Sequence, residues 1–132
     1  MLDDDLVFGA LAAVVGPEHV TREDADTAAC AVDGVVPRMV VSPGSVAEVQ
    51  SVVRAAAGQG ASMVPRGSGS KMGLGCPPTS ADVLLSLGRL NAVVEYDVAN
   101  LTLVCQAGVR VETLQQKVFA NRQLLPLDPP FT

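Results

Sequence analysis

Apolar positions near the amino end recur with a helical period. Between Leu2 and Val15, the residues Leu6, Ala10, Ala13 and Val14 can share a face. Asp3 to Asp5 suit the positive end of a helix, and Gly16-Pro17 stops it. Residues 18–37 show no period, and their acids, alanines and Gly34 predict loop with a short turn of helix. Met39-Val40-Val41 is a short apolar run suited to a buried strand. Ser45-Val46-Ala47-Glu48 then matches a capping box. In that motif the Ser hydroxyl accepts from the N3 amide and the Glu carboxylate returns to the cap's own N–H. Val46, Val49, Val53 and Ala56-Ala57 follow at helical spacing, and Gly58 and Gly60 end the run. Ala61 to Val64 reads as a second strand, so the segment from Met39 forms a βαβ unit with parallel strands. Further strands are predicted at Val83–Leu87, Ala92–Tyr96 and Leu101–Cys105, joined by short turns that favour antiparallel neighbours. A last helix is predicted near Val111 to Ala120, with Val111, Leu114 and Val118 on one side, Asn121 as C-cap, and Glu112, Gln115 and Gln116 on a solvated face.

Composition narrows the function classes. The chain has 132 residues, 48% of them hydrophobic and 17% charged, with a formal net charge of −5. That mixture supports a core and opposes disorder. No basic run occurs, which argues against a nucleic-acid surface, and the few aromatics (Phe8, Tyr96, Phe119, Phe131) offer no stacking platform. Cys30, Cys76 and Cys105 are far apart, and His19 is the one histidine, so neither local zinc ligation nor His-based nucleophilic catalysis is expected, and no metal site is assigned. Reduced thiols and a leading acidic run unlike a signal peptide point to the cytoplasm, and no apolar run is long enough to span a membrane. Cys105 is expected to be a small buried residue of a strand, Cys76 an exposed thiol, and Tyr96 a core-edge residue.

The chemistry is expected between Val64 and Val83. Pro65 to Asp82 carries no helical or strand period, and loops beyond about 12–15 residues are uncommon in compact domains and often functional. Gly67, Gly69, Gly73 and Gly75 permit close backbone approach, Ser68 and Ser70 add hydroxyls, and Arg66 and Lys71 add positive charge. Successive amides in such a loop can form an anion nest suited to a diphosphate. The same composition is compatible with a flexible surface turn. Neither familiar phosphate motif is met: Met72 stands where G-x-G-x-x-G needs its last glycine, and Lys71 is followed by Met72 rather than Ser or Thr.

The order of motifs adds a resemblance. Met39 to Val49 leads into Val64-Pro65-Arg66-Gly67-Ser68-Gly69-Ser70. Later come Ala107-Gly108-Val109 and Leu125-Pro126-Leu127-Asp128-Pro129-Pro130. This succession resembles the first half of the FAD-binding domain of the vanillyl-alcohol-oxidase/p-cresol-methylhydroxylase type, over about residues 35–132. Gly69-Ser70-Lys71 with Leu74-Gly75, and the Leu-Pro-x-x-Pro-Pro ending, are most similar to the FAD-binding subunit of bacterial glycolate oxidase. The resemblance implies an α+β fold: residues 1–34 as an N-terminal helix and linker, then a βαβ FAD-binding subdomain and the start of a second, mixed-sheet subdomain. It also implies that the chain is the N-terminal portion of something longer. By the same resemblance, Arg66, Gly67, Ser68, Gly69, Ser70 and Lys71 hold the FAD diphosphate, and Asp128 and Pro129 run toward the flavin ring. Asp128 read alone is equally a turn residue before Pro129. No His lies in the loop and Cys76 is not placed for a linkage, so non-covalent FAD is expected. The implied reaction is oxidation of a 2-hydroxy acid such as glycolate by hydride transfer to flavin. The implied partners are a sister flavin subunit and an iron–sulfur subunit, and the catalytic base is expected beyond Thr132. A non-catalytic nucleotide-binding module and an inactive fragment needing a partner chain remain the alternatives.

Overall fold

The computed structural model describes residues 2–127. Two sheets organise it: a four-stranded sheet in the order β1-β2-β4-β3 and a two-stranded sheet of β5 and β6. The chain enters through α1, Asp4–Val15, whose N-cap Asp3 accepts from the amides of Asp5 and Leu6. The buried face of α1 is Val7, Leu11 and Val15, while Leu6 is 59% exposed and Ala13 faces solvent. The stripe read from the sequence is therefore rotated. With mean hydropathy high all round this helix, tertiary packing rather than periodicity selects the face.

Residues 18–37 hold more structure than the sequence predicts. A single 3-10 turn, Pro17–His19, leads into β1, Val20–Thr21, and then α2, Asp24–Ala28. β1 pairs antiparallel with β2, Met39–Val41. Two-residue strands have too short a pattern to be seen as a period, and only the pairing defines this one.

α3, Val46–Gly58, begins at Ser45, whose hydroxyl accepts from the Glu48 amide at 3.1 Å. The Glu48 carboxylate accepts from the Gly44 amide at 2.7 Å, one residue before the position a capping box uses. Val52 and Ala56 are its buried positions, whereas Val46 and Val53 are exposed. β3, Met63–Arg66, starts later than the sequence suggests and includes Pro65 and Arg66. It is an edge strand, where a proline removes no needed ladder bond.

β4, Val83–Ser86, lies between β2 and β3 and runs parallel to both. Its continuous apolar run is buried on both faces, as a central parallel strand requires. Met39, Val41, Val83 and Leu85 join Val7, Leu11, Val15, Val20 and Val52 in one core beneath α1 and α3. Val40 and Leu84 have the opposite parity and are buried on the other face, where α2 packs against β2.

β5, Val93–Asp97, and β6, Thr102–Cys105, form an antiparallel hairpin. Its turn is fixed by the Asp97 carboxylate, which accepts from the amides of Ala99 and Asn100, both at 3.0 Å. α4, Val111–Phe119, buries Leu114 and Val118 as expected, but its C-cap is Ala120 rather than Asn121. Cys105 is exposed, not buried, because it borders an open hollow shared with Leu103, Leu114 and Val118 that the packing of α4 leaves unfilled. Gln115 is not a solvated residue. Its amide donates to the Leu125 carbonyl at 2.6 Å and its side-chain oxygen accepts from the Leu125 amide at 3.2 Å, clamping the tail to α4. The Tyr96 hydroxyl donates to Gln123 at 2.6 Å, away from the glycine loop.

Candidate functional site

β3 and β4 are parallel neighbours, so the chain must return along the sheet between them. A helix usually makes that return. Here residues 67–82 make it as irregular backbone, which places the glycine loop directly beyond the carboxyl end of β3. Ligands of open α/β sheets collect at that end.

A cavity of about 750 Å³ opens there, lined by Gly67, Ser68, Gly69 and Ser70 on one side. Gly88 and Asn91, in the turn after β4, and Gly108, Val109, Arg110 and Thr113, leading into α4, line the other. A second hollow of about 360 Å³ lies on the loop's far side and includes Lys71 and Met72. Among the described residues, the amides of Gly67, Ser68, Gly69 and Ser70 donate to no protein acceptor. Strand pairing ends at Arg66, whose carbonyl accepts from the Leu87 amide at 2.8 Å. The Ser68 and Ser70 hydroxyls lie 3.4 Å apart at the exposed rim. Gly69 has φ +87°, a left-handed conformation that favours glycine.

The opposite wall is also rich in donors. Arg110 is the N-cap of α4 with no side-chain capping bond, and the first helical bond is that of Leu114 N–H to the Arg110 carbonyl at 3.2 Å. The amides of Val111, Glu112 and Thr113 have no acceptor among the described residues.

Gly108 sets the distance between the two walls. Its amide donates to the Leu90 carbonyl at 2.9 Å. A Cβ there would lie 1.9 Å from the Leu87 carbonyl oxygen and 2.9 Å from that of Leu90, so only glycine lets the second subdomain seat against the β4 turn.

The sequence-predicted residues divide into three groups. Gly67 to Ser70 line both hollows, and Lys71 lines the second. Arg66 ends β3, and its guanidinium turns beneath the loop to Cys30 Sγ at 2.7 Å. Asp128 and Pro129 lie outside the described residues. Gly88, Asn91, Gly108, Val109, Arg110 and Thr113 were not singled out as site residues. The Ala107-Gly108-Val109 motif was a visible signal for two of them, whereas Asn91 and Thr113 carry none.

Amides with no acceptor among the described residues lie in two segments that line one cavity beyond the carboxyl end of β3, an arrangement suited to an anionic, phosphate-bearing ligand. The profile of the FAD binding domain family matches residues 37–131, more than half of the chain, and the chain belongs to that family. FAD is accordingly its cofactor, and the donor set fits the diphosphate of that molecule. The fold is that of p-cresol-methylhydroxylase-type flavoproteins. Alkyldihydroxyacetonephosphate synthase superposes with a TM-score of 0.80 at 21% identity over 93% of this chain and 26% of its own. p-Cresol methylhydroxylase superposes with a TM-score of 0.79 at 18% identity over 89% of this chain and 25% of its own. Among curated proteins, D-2-hydroxyglutarate dehydrogenase of Xanthomonas citri pv. viticola is 34% identical over 70% of this chain and 20% of its own length. Glycolate oxidase subunit GlcD of Bacillus subtilis is 27% identical over 88% of this chain and 26% of its own length. The chain thus spans about a fifth to a quarter of these relatives. Among the described residues, no helix is long and apolar enough to cross a membrane.

Proposed function

We propose that this chain is the FAD-holding portion of a flavin-dependent oxidoreductase that oxidises a 2-hydroxy acid such as glycolate, with the cofactor bound non-covalently. The observation that carries the reading is the row of amides at residues 67–70, without an acceptor among the described residues, in a segment that lines a cavity of about 750 Å³. These amides, with the Ser68 and Ser70 hydroxyls, hold the diphosphate. Arg66 and Lys71 make the loop positive, and the α4 amino end faces the same hollow with its own donors. Asp128 and Pro129 are proposed to lie near the flavin ring.

When bound, FAD supplies a hydride acceptor for the α-carbon of the substrate. The residues of this chain bind the diphosphate, fix its orientation and exclude water from it, and none is assigned as the base that takes the hydroxyl proton. The substrate class is supported by relatives named as a D-2-hydroxyglutarate dehydrogenase and a glycolate oxidase subunit. The word subunit in the latter name supports an assembly with other chains, and the proposal extends to a sister flavin subunit and an iron–sulfur subunit. A cytoplasmic location is part of the same reading, supported by the free thiols of Cys30, Cys76 and Cys105.

Titration with FAD, followed by quenching of flavin fluorescence, tests the reading. Saturable binding with release of unmodified FAD on heating is expected. ADP binding as tight as FAD binding would favour a nucleotide module with no flavin function, and no binding of either would end the proposal for the isolated chain.

A further inference from the structure

The Arg66 side chain is placed where a phosphate ligand would not be. It lines neither hollow formed by the loop. Its guanidinium instead runs back under its own loop, so close to Gly69 that a Cβ there would sit 2.5 Å from Nε and 2.8 Å from Nη2. The far end donates to Cys30 Sγ at 2.7 Å. Cys30 follows α2, and the turn after it meets the loop again: Asp33 Oδ1 would be 3.5 Å from a Cβ on Gly73. Two points of the same N-terminal segment therefore lie beside the same loop.

We infer that Arg66 is a positioning residue, a strut anchored on Cys30 that holds the 67–70 amides in their binding arrangement, and not itself a ligand of the diphosphate. This rests on the FAD reading above for its purpose, though the strut is a property of the protein alone. A glycine-rich loop has many conformations to lose on binding, and a prop beneath Gly69 removes part of that cost in advance. Most of the work falls to the guanidinium, since a thiol sulfur is a weak acceptor that orients its partner more than it holds it.

The test has one arm without ligand and one with it. Lysyl endopeptidase can cut after Lys71 in the loop and after Lys117 in α4, the latter reporting opening of the whole domain. Arg66→Ala is expected to speed cleavage at Lys71 by about tenfold relative to Lys117, the scale of one hydrogen bond to a charged group. Cys30→Ala is expected to speed it by about twofold to threefold, because a weak acceptor is lost. Cys30→Ser keeps an acceptor and is expected to stay near the parent. An unchanged Lys71 rate in Arg66→Ala overturns the strut, whether or not FAD binds. In the FAD titration, Arg66→Lys keeps the charge but not the planar fork and is expected to weaken binding as much as Arg66→Ala. Parental affinity in Arg66→Lys would mean that charge alone matters, and would overturn the inference while leaving the FAD reading intact. Failure of the parent chain to bind FAD would count against that reading only, and the cleavage arm would still decide the strut.

Discussion

Gly108 and Gly58 show how little a residue's identity says until its surroundings are known. Both are glycines in ordinary-looking sequence, yet a Cβ at Gly58 meets nothing within 4 Å while one at Gly108 meets the Leu87 carbonyl oxygen at 1.9 Å. Gly108→Ala is expected to destabilise the domain by about 3 kcal/mol or more, since backbone on both sides cannot yield as a side chain would. It should also abolish FAD binding. Gly58→Ala, near the end of α3, is expected to leave both unchanged or to add about 0.5 kcal/mol of stability. Urea unfolding and flavin titration of the two variants check this. Cys105 teaches the same lesson in reverse. Its strand neighbours made burial the natural expectation, but an apolar alternation cannot reveal whether a second layer covers the strand.

Among elements, the joint between β3 and β4 has the clearest electrostatic signature. The Asp82 carboxylate, just before β4, accepts from the Ser62 amide at 2.8 Å and the Ser62 hydroxyl at 2.6 Å, and lies 3.2 Å from Arg38 Nε. Burial pushes its pKa up, but the Ser62 hydroxyl and amide and the Arg38 charge outweigh burial and hold it below the usual 3.8. A folded-state value below the unfolded one means the charged form binds the fold. The stabilisation is complete above the ordinary carboxylate range and is lost as pH falls below it. Asp82→Asn is therefore expected to be less stable near neutrality and to show a flatter loss of stability in acid, read by urea midpoints across acidic pH. The sequence offered Ser62 only as part of a strand and Asp82 only as the end of a loop. Their pairing depends on β4 lying beside β3, a long-range fact no window of residues contains. The capping box of α3 is the opposite case. Ser45 and Glu48 interact within four residues, so the helix start was legible, and only the partner of Glu48 differed, being Gly44.

Over the whole molecule, the two halves are finished differently. The four-stranded sheet is packed on both faces, but the hairpin subdomain leaves Val94 at 66%, Val104 at 52%, Phe119 at 75% and Leu124 at 76% exposure. Exposed apolar side chains and open strand edges favour association. The isolated chain is expected to self-associate as concentration rises, and Val94→Lys with Val104→Lys to reduce this without altering FAD affinity, as light scattering beside flavin titration would show. The sequence by itself determined the elements whose signals are local: the starts and stops of α1 and α3, the buried strands at Val40 and Leu84, and the glycine–serine loop with the likeness it carries. The tertiary structure alone decided the order β1-β2-β4-β3 and the meeting of Arg66 with Cys30 and of Gly108 with Leu87. The reason is physical: caps, turns and periodicity are settled among residues a few positions apart, whereas a cavity wall is settled by which distant segments pack together.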